Sequence, residues 1–199
     1  MKKIIKSGNS ELIIKKSKFY SSCFELESTS AFENKIKEFK QKYKDASHYP
    51  FAYRVIDDRK VLYEKYSDDS EPFGVAGVPM LNLIKNNLII NACIITARYF
   101  GGIKLGKGNL LGAYLDSAKL ALKDSVASEI IDYTRYKIVT DYKNYQKIKH
   151  LIEIPEIEKE HIEFEKDVVV NFKVIKSCEE DIITKLRQIG IQNIIKIID

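Results

Sequence analysis

The sequence predicts an α+β protein of two domains, with the domains at residues 1–133 and 134–199. Three observations support this fold class. Apolar segments typical of strands alternate with amphipathic helical segments along the whole chain. Seven of the nine glycines lie between Ser67 and Tyr114, which concentrates unusual backbone in one stretch. Beyond residue 133 the elements follow the order strand, helix, strand, strand, helix, strand, which is typical of a ferredoxin-like domain.

The first predicted domain begins with a strand or hairpin over residues 11–25. A helix follows, with a core-facing stripe formed by Phe32, Ile36, Phe39 and Tyr43. Residues 49–56 and 60–66 then read as two strands joined by a short acidic and basic turn. These elements predict a sheet with a helix packed on it.

A nearly unbroken apolar run over residues 88–97 predicts a strand that is buried on both faces. A short helix from about Val78 precedes it, with Pro79 in the first turn, where a missing N–H is tolerated. A second helix follows the glycine loop 101–108, with an apolar stripe of Leu111, Leu115, Ala118 and Leu122. The order of elements predicts a mixed sheet with helices packed on it.

The second domain is predicted to hold strands over residues 136–141, 157–164, 168–175 and 191–198, with a helix over 145–151. A last helix ends at Gly190, which suits the position after a helix C-terminus. In the third strand the apolar residues alternate onto one face, namely Val168, Val170, Phe172 and Val174.

Composition excludes several classes of protein. Apolar residues make up 45% of the 199-residue chain, which indicates a globular protein. No apolar run approaches the ~20 residues of a membrane span, and the basic first ten residues lack the apolar segment of a signal peptide. Cys23, Cys93 and Cys178 are isolated and odd in number, so neither a disulfide framework nor a CxxC metal site is expected. The cytoplasm is the predicted compartment.

The basic excess of the chain belongs to its first part. Residues 1–133 carry 21 Lys and Arg against 16 Asp and Glu, whereas residues 134–199 carry 12 of each. A modest excess of this kind is compatible with an RNA or ribosome surface, although many proteins that bind neither also have it.

The loop 101–108 nearly matches the phosphate-binding pattern GxxxxGK(S/T) and lies between a buried strand and a helix. Its eighth position should supply a hydroxyl to Mg²⁺ and is Gly108, which argues against a nucleotide triphosphatase. Amides of such a loop can still hold an anion such as an RNA phosphate. The candidate anion-binding residues are Arg98, Gly101, Gly102, Lys104, Gly106, Lys107 and Gly108, with Lys15, Lys16 and Lys18 as outlying contacts.

A structural interpretation of the same loop stands beside the anion-binding one. The glycines would let the loop pack against the acidic turn, and Arg98 would pair with Asp68, Asp69 or Glu71. The three acids suit a hard cation or acid–base chemistry as well, but no companion motif supports that, and a turn and N-cap role before Pro72 is favoured. No catalytic residue, metal ligand or cofactor is predicted. His48 is expected to be a hydrogen-bonded packing residue.

Two long segments carry a resemblance to a known family. SDDSEPFGVAGVP (67–79) and ARYFGGIKLGKGNLLGAY (97–114) resemble the two signature motifs of the IMPACT family, and residues 13–20 and 46–55 resemble two of its shorter motifs. The matching motif positions are His48, Asp68, Asp69, Glu71, Pro72, Gly74, Gly77 and Tyr99. Four positions depart from the family pattern: Ser70, Val75, Asn109 and Gly112. Asn109 is expected to preserve a left-handed turn, and Gly112 removes a cation.

The resemblance implies a first domain similar to domain IV of elongation factor G and to a small ribosomal protein. It also implies a role in translational control. The leading hypothesis is therefore a cytoplasmic regulatory protein that binds RNA, the ribosome or a translation component through the basic glycine loop. The alternative is a small hydrolase or transferase acting on a phosphorylated ligand at that loop, which the glycine at position 108 disfavours. Regulation through a protein partner at residues 156–165 is a third hypothesis, and no membrane partner is expected.

Overall fold

The computed structural model describes residues 1–197. The chain forms two compact units, the first spanning Met1–Ile130 and the second beginning at Ile131. Both units combine helices with antiparallel sheets, which confirms the predicted α+β class. The final predicted strand extended to Ile198, and that residue lies outside the described range.

The first unit is built on a five-stranded sheet with the strand order β2-β3-β6-β4-β5. Its strands are β2 (Gly8–Ile14), β3 (Ser17–Glu25), β4 (Phe51–Ile56), β5 (Leu62–Ser67) and β6 (Ala92–Tyr99). Every pairing in this sheet is antiparallel, so the prediction of a mixed sheet is wrong. Three helices accompany it: α1 (Ala31–Lys42), α2 (Gly77–Asn86) and α3 (Lys107–Asp124).

The central strand β6 is buried on both faces, as its composition predicts. Cys93, Ile95 and Ala97 belong to the cluster that includes Phe32 and Phe39 of α1. Alternate residues such as Ala92 and Ile94 join a second cluster with residues of α2 and α3. Because side chains alternate along a strand, Arg98 extends the face that carries Ile94, toward α2 and α3.

The helix α3 is rotated relative to the prediction. Leu111, Leu115 and Leu122 are only half-buried, and the buried face of the helix runs through Tyr114 and Ser117. The Ser117 hydroxyl lies 2.7 Å from that of Ser21, so burial of a polar side chain is offset by hydrogen bonding. The apolar pattern of the sequence could not reveal this buried face, because Tyr114 and Ser117 carry hydroxyl groups.

A small two-stranded sheet was not predicted. It pairs β1 (Lys2–Lys6) with β7 (Val126–Glu129). Both strands are short, and their sequences KKIIK and VASE place polar residues next to one another, so they lack the alternating apolar pattern by which strands are recognised. Ile4 is the fully buried residue of β1 and joins the cluster beneath α2 and α3.

The second unit is a four-stranded antiparallel sheet with the strand order β11-β8-β10-β9. Its elements are β8 (Tyr133–Thr140), α4 (Tyr142–Ile148), β9 (Ile157–Phe164), β10 (Val168–Ile175), α5 (Glu179–Gln188) and β11 (Ile194–Ile197). This is the ferredoxin-like arrangement predicted from the element order. The four alternating residues of β10 are fully buried, as expected. Strand β8 and helix α4 begin three residues earlier than predicted.

Candidate functional site

The acidic turn after β5 is held together by its own backbone. The Asp68 carboxylate accepts hydrogen bonds from the backbone N–H groups of Gly74, Ala76 and Gly77, at 2.8 to 2.9 Å. The amides of Ala76 and Gly77 lie at the start of α2, where no intrahelical acceptor is available to them, and that of Gly74 lies in the turn before the helix. Asp68 thus satisfies these amides from the preceding turn, although the N-cap residue of α2 is Ala76, and Gly74 accommodates the turn with a φ of +77°.

Asp69 and His48 connect this turn to the segment before β4. The Asp69 carboxylate accepts from the Tyr49 N–H at 2.6 Å, and the Nδ1 atom of His48 lies 2.8 Å from the Asp69 carbonyl oxygen. His48 is thus a hydrogen-bonded residue, as expected, and its Nε2 atom is 3.9 Å from Glu71 Oε1. Ser70, which replaces the family's glycine, has a φ of +67°, so a non-glycine residue occupies a left-handed position.

Arg98 pairs with Glu71 and not with either aspartate. Arg98 Nη1 donates to Glu71 Oε1 at 2.6 Å, and the two side chains are 7% and 4% exposed. The Tyr114 hydroxyl donates to the same oxygen at 2.6 Å. Burial, followed by the hydrogen bond to Glu71, raises the pKa of Tyr114 well above its ordinary value, so the phenol stays protonated and remains a donor.

The Arg98 guanidinium is also held between two aromatic rings. Its central carbon lies 5.6 Å from the ring centre of Phe19 and 5.5 Å from that of Phe100. Both distances suit cation–π attraction. Arg98 Nε is buried and lacks a hydrogen-bond partner, whereas the other buried side-chain nitrogen and oxygen atoms within residues 1–197 have one. A buried donor of this kind is costly to leave unsatisfied.

The glycine loop lies against the turn between β2 and β3. A Cβ at Gly101 would come within 2.1 Å of the Lys16 carbonyl carbon, and the Gly101 N–H donates to Ser17 Oγ at 3.1 Å. Only glycine allows backbone to approach backbone this closely. Lys15 and Lys16 form the two-residue turn of that hairpin, with φ values of +44° and +66°. The predicted outlying lysines therefore lie beside the loop.

The loop ends at the start of α3. Gly106 has a φ of +79°, and its carbonyl oxygen accepts from the Leu110 N–H at 2.9 Å. Lys107 is the first residue of the helix, and Gly108 lies in its first turn, not in the loop. Asn109 is also helical and donates from Nδ2 to the Leu105 carbonyl oxygen. The expectation that Asn109 preserves a left-handed turn is wrong, because the helix begins before it.

These elements surround a pocket of about 520 Å³, within the range of ordinary small-ligand sites. Its polar side chains include His48, Glu71 and Arg98, and Lys104 and Lys107 line it from the glycine loop and α3. Its apolar lining consists of Pro72, Phe100, Leu105 and Leu110. The pocket therefore joins the two segments that carry the signature motifs.

Several predicted residues lie outside this pocket. Tyr99 faces the α1 side of the sheet, where its hydroxyl donates to the Lys44 carbonyl oxygen. Gly77 starts α2 and packs against the backbone of Ser67, whereas Gly102, with a φ of +82°, is exposed. Val75 is fully buried, and a Cβ at Gly112 would meet nothing within 4 Å.

Sequence reasoning missed Tyr114 as a partner of Glu71. The apolar pattern of α3 assigned Leu111 and Leu115 to the core in its place.

The cations at the pocket are available to a ligand. Lys104 and Lys107 are exposed, and neither forms an ion pair among residues 1–197. The same holds for Lys15, Lys16 and Lys18 on the neighbouring hairpin. In the described part of the chain, no group of three or more His, Cys, Asp or Glu side chains is placed to hold a metal ion. No helix within residues 1–197 is long and apolar enough to cross a membrane.

The first unit is thus an antiparallel α+β domain with a basic pocket formed by an acidic turn and a glycine loop. The Impact N-terminal domain model matches residues 15–122, which is more than half of the chain. The chain belongs to the IMPACT family, as its motifs predict.

Relatives from several bacteria agree with this assignment. The chain is 36% identical to the IMPACT family member YvyE of Bacillus subtilis over 54% of its own length and 49% of that protein. It is 30% identical to the IMPACT family member YigZ of Escherichia coli over 70% of this chain and 68% of the relative. The match to YvyE thus covers only about half the length of that relative. A crystal structure of a hypothetical protein, 23% identical, covers the whole chain with a TM-score of 0.62 and supports the fold.

Proposed function

We propose that this protein is a translation-related regulator that binds RNA, free or within the ribosome, through the glycine loop and the lysines beside it. The observation that carries the proposal is the pair Lys104 and Lys107, exposed beside a pocket and without an ion pair among residues 1–197. The translational role follows from what family membership implies. The cytoplasm remains the predicted compartment.

The local electrostatics favour a polyanion. Lys107 begins an 18-residue helix, and the N-terminus of a helix carries partial positive charge and unpaired N–H groups. Gly101 holds the loop against the Lys15–Lys16 turn, so cations from two separate segments lie on neighbouring parts of the surface. Contacts to several phosphates give moderate affinity, strong salt dependence and little sequence preference.

A small hydrolase or transferase acting on a phosphorylated ligand is the second candidate, because His48 and Glu71 both line the pocket. Binding without chemistry is favoured for two reasons. Glu71 Oε1 already accepts from Arg98 and Tyr114, so this carboxylate serves as the counter-charge of a buried arginine. Gly108 also offers no hydroxyl for a metal ion at the phosphate loop.

The proposal is tested by RNA binding of the wild type and of a Lys104→Ala/Lys107→Ala variant between low and physiological salt. We expect the variant to bind more weakly and the slope of log K against log salt to become shallower by about 1.5, since each phosphate contact contributes roughly 0.7 to 0.9. Sedimentation with ribosomal particles across the same salt series tests the ribosomal form of the proposal.

The matched control is Lys143→Ala/Lys166→Ala, which removes two exposed charges from the second unit and keeps the net charge of the test variant. This control should retain the wild-type affinity and slope. Equal affinities and equal slopes for all three proteins would show that the glycine loop has only a structural role.

A further inference from the structure

Phe100 is an exposed aromatic residue at the pocket. It is 48% exposed, follows the buried strand β6 directly, and lies over the Arg98 guanidinium. Pro72, Leu105 and Leu110 continue the apolar lining. Phosphate binding alone needs cations and amides, and it gives no reason for an exposed aromatic ring beside an apolar cavity.

The pocket also offers hydrogen-bonding groups that its own residues leave unused. Arg98 Nε also lacks a partner in the described range, but this atom is buried, so the groups open to a ligand belong to Glu71 and His48. None of the described hydrogen bonds of Glu71 uses Oε2, and His48 Nε2 lies 3.9 Å from Glu71 Oε1, beyond hydrogen-bonding distance. A fitting ligand therefore has a flat apolar face, a polar edge and a nearby negative charge.

We infer that the pocket receives one unpaired base of single-stranded RNA, stacked on Phe100, with an adjoining phosphate at Lys104 and Lys107. This inference rests on the proposed function and names the form of RNA that is bound. A nucleotide has the flat face, polar edge and charge that the pocket requires, and unpaired bases are the usual target of aromatic side chains. Bases within a duplex are already stacked and paired, so a duplex offers only its backbone to the lysines.

The first experiment compares a single-stranded oligoribonucleotide with the duplex formed from it and its complement, at one salt concentration. Wild type should bind the single strand more tightly. Phe100→Ala should weaken single-strand binding by roughly tenfold, the scale seen when a stacking aromatic is removed, and leave duplex binding unchanged. Phe73→Ala is the control, because Phe73 is 78% exposed and lies outside the pocket lining.

A second measurement uses only the wild-type protein, so it does not depend on a variant that folds. Oligonucleotides of the same length, with the bases replaced by abasic positions, keep the phosphates and remove the stacking partner. Affinity for them should fall by a similar factor. The base-pocket inference is wrong if single strand, duplex and abasic strand bind equally and Phe100→Ala changes nothing, although the lysine-dependent proposal would survive. Absence of binding to every RNA would overturn both.

Discussion

Arg98 carries a charge at the end of a strand that is otherwise apolar and buried. Glu71 neutralises that charge, Tyr114 donates to the same carboxylate oxygen, and two aromatic rings cover the guanidinium. A buried ion pair of this kind costs desolvation energy when it forms. Breaking it is more harmful still, because one charge is left uncompensated in a dry environment. The pair thus fixes the acidic turn against β6 and keeps one side of the pocket in place.

We expect Glu71→Gln to lower the free energy of unfolding by about 3 kcal/mol, because it leaves the Arg98 guanidinium buried without a counter-charge. Chemical denaturation of the full chain measures the change. Asp116→Asn makes the same chemical substitution in an exposed pair with Lys119 and should change stability by less than about 0.5 kcal/mol. Similar small effects for both variants would show that the Arg98–Glu71 pair contributes little to stability.

The sequence predicted that Arg98 pairs with an acid of the acidic turn, but it did not predict which of the three acids this is. Asp68, Asp69 and Glu71 lie within four residues, and their sequence spacing does not specify which side chain reaches β6. The backbone decides, because Asp69 and Ser70 both adopt positive φ and turn the chain so that only Glu71 meets Arg98. The pocket itself depends on Phe100 and Leu110, which look like ordinary apolar residues in the sequence.

The position of the glycine loop depends on Gly101, which has no side chain. Gly101 lies against the backbone of the Lys15–Lys16 turn, which therefore stays beside the pocket. Both lysines occupy left-handed backbone, which is uncommon for residues with a Cβ. Asn and Gly would fit such a turn with less strain. From the sequence, these lysines were predicted only as outlying contacts. Their place beside the loop could not be predicted, because the register of the hairpin was not known.

We expect Gly101→Ala to destabilise the first unit by roughly 1–3 kcal/mol or more, because its Cβ would overlap the Lys16 backbone, which cannot rotate away. Thermal or chemical unfolding measures the loss. Gly108→Ala is the matched control, since nothing lies within 4 Å of its Cβ and alanine favours a helix over glycine by about 0.5–1 kcal/mol. The opposite order of stability would contradict the close packing of the loop.

Elements with strong periodic patterns were predicted well, and elements held by tertiary contacts were not. The strands 157–164 and 168–175 have the predicted bounds, and β6 is buried as its composition indicates. Its start was placed four residues too early, because Leu88 and Asn91 adopt positive φ in the connection from α2. The β1 and β7 strands depend on pairing between the two ends of the first unit, which no local pattern encodes.

On the scale of the whole molecule, the candidate site lies entirely within the first unit. Each pocket residue and each candidate lysine precedes Ile130. The second unit has its own apolar cluster and its own four-stranded antiparallel sheet. The sequence predicted this order of elements from the alternating apolar residues of β10 and from Gly190 after the last helix. Independent folding of the two units remains a prediction.

We expect a fragment of residues 131–199 to unfold cooperatively, because a four-stranded sheet and two helices enclose one core. A fragment that begins at residue 134 should be less stable, since it loses the pairing of Tyr133 with Ile175 and the Asp132 carbonyl that accepts from the Lys176 N–H at 2.8 Å. Denaturant titration monitored by circular dichroism compares the two fragments. A gradual, non-cooperative change in the longer fragment would show that the second unit needs the first in order to fold.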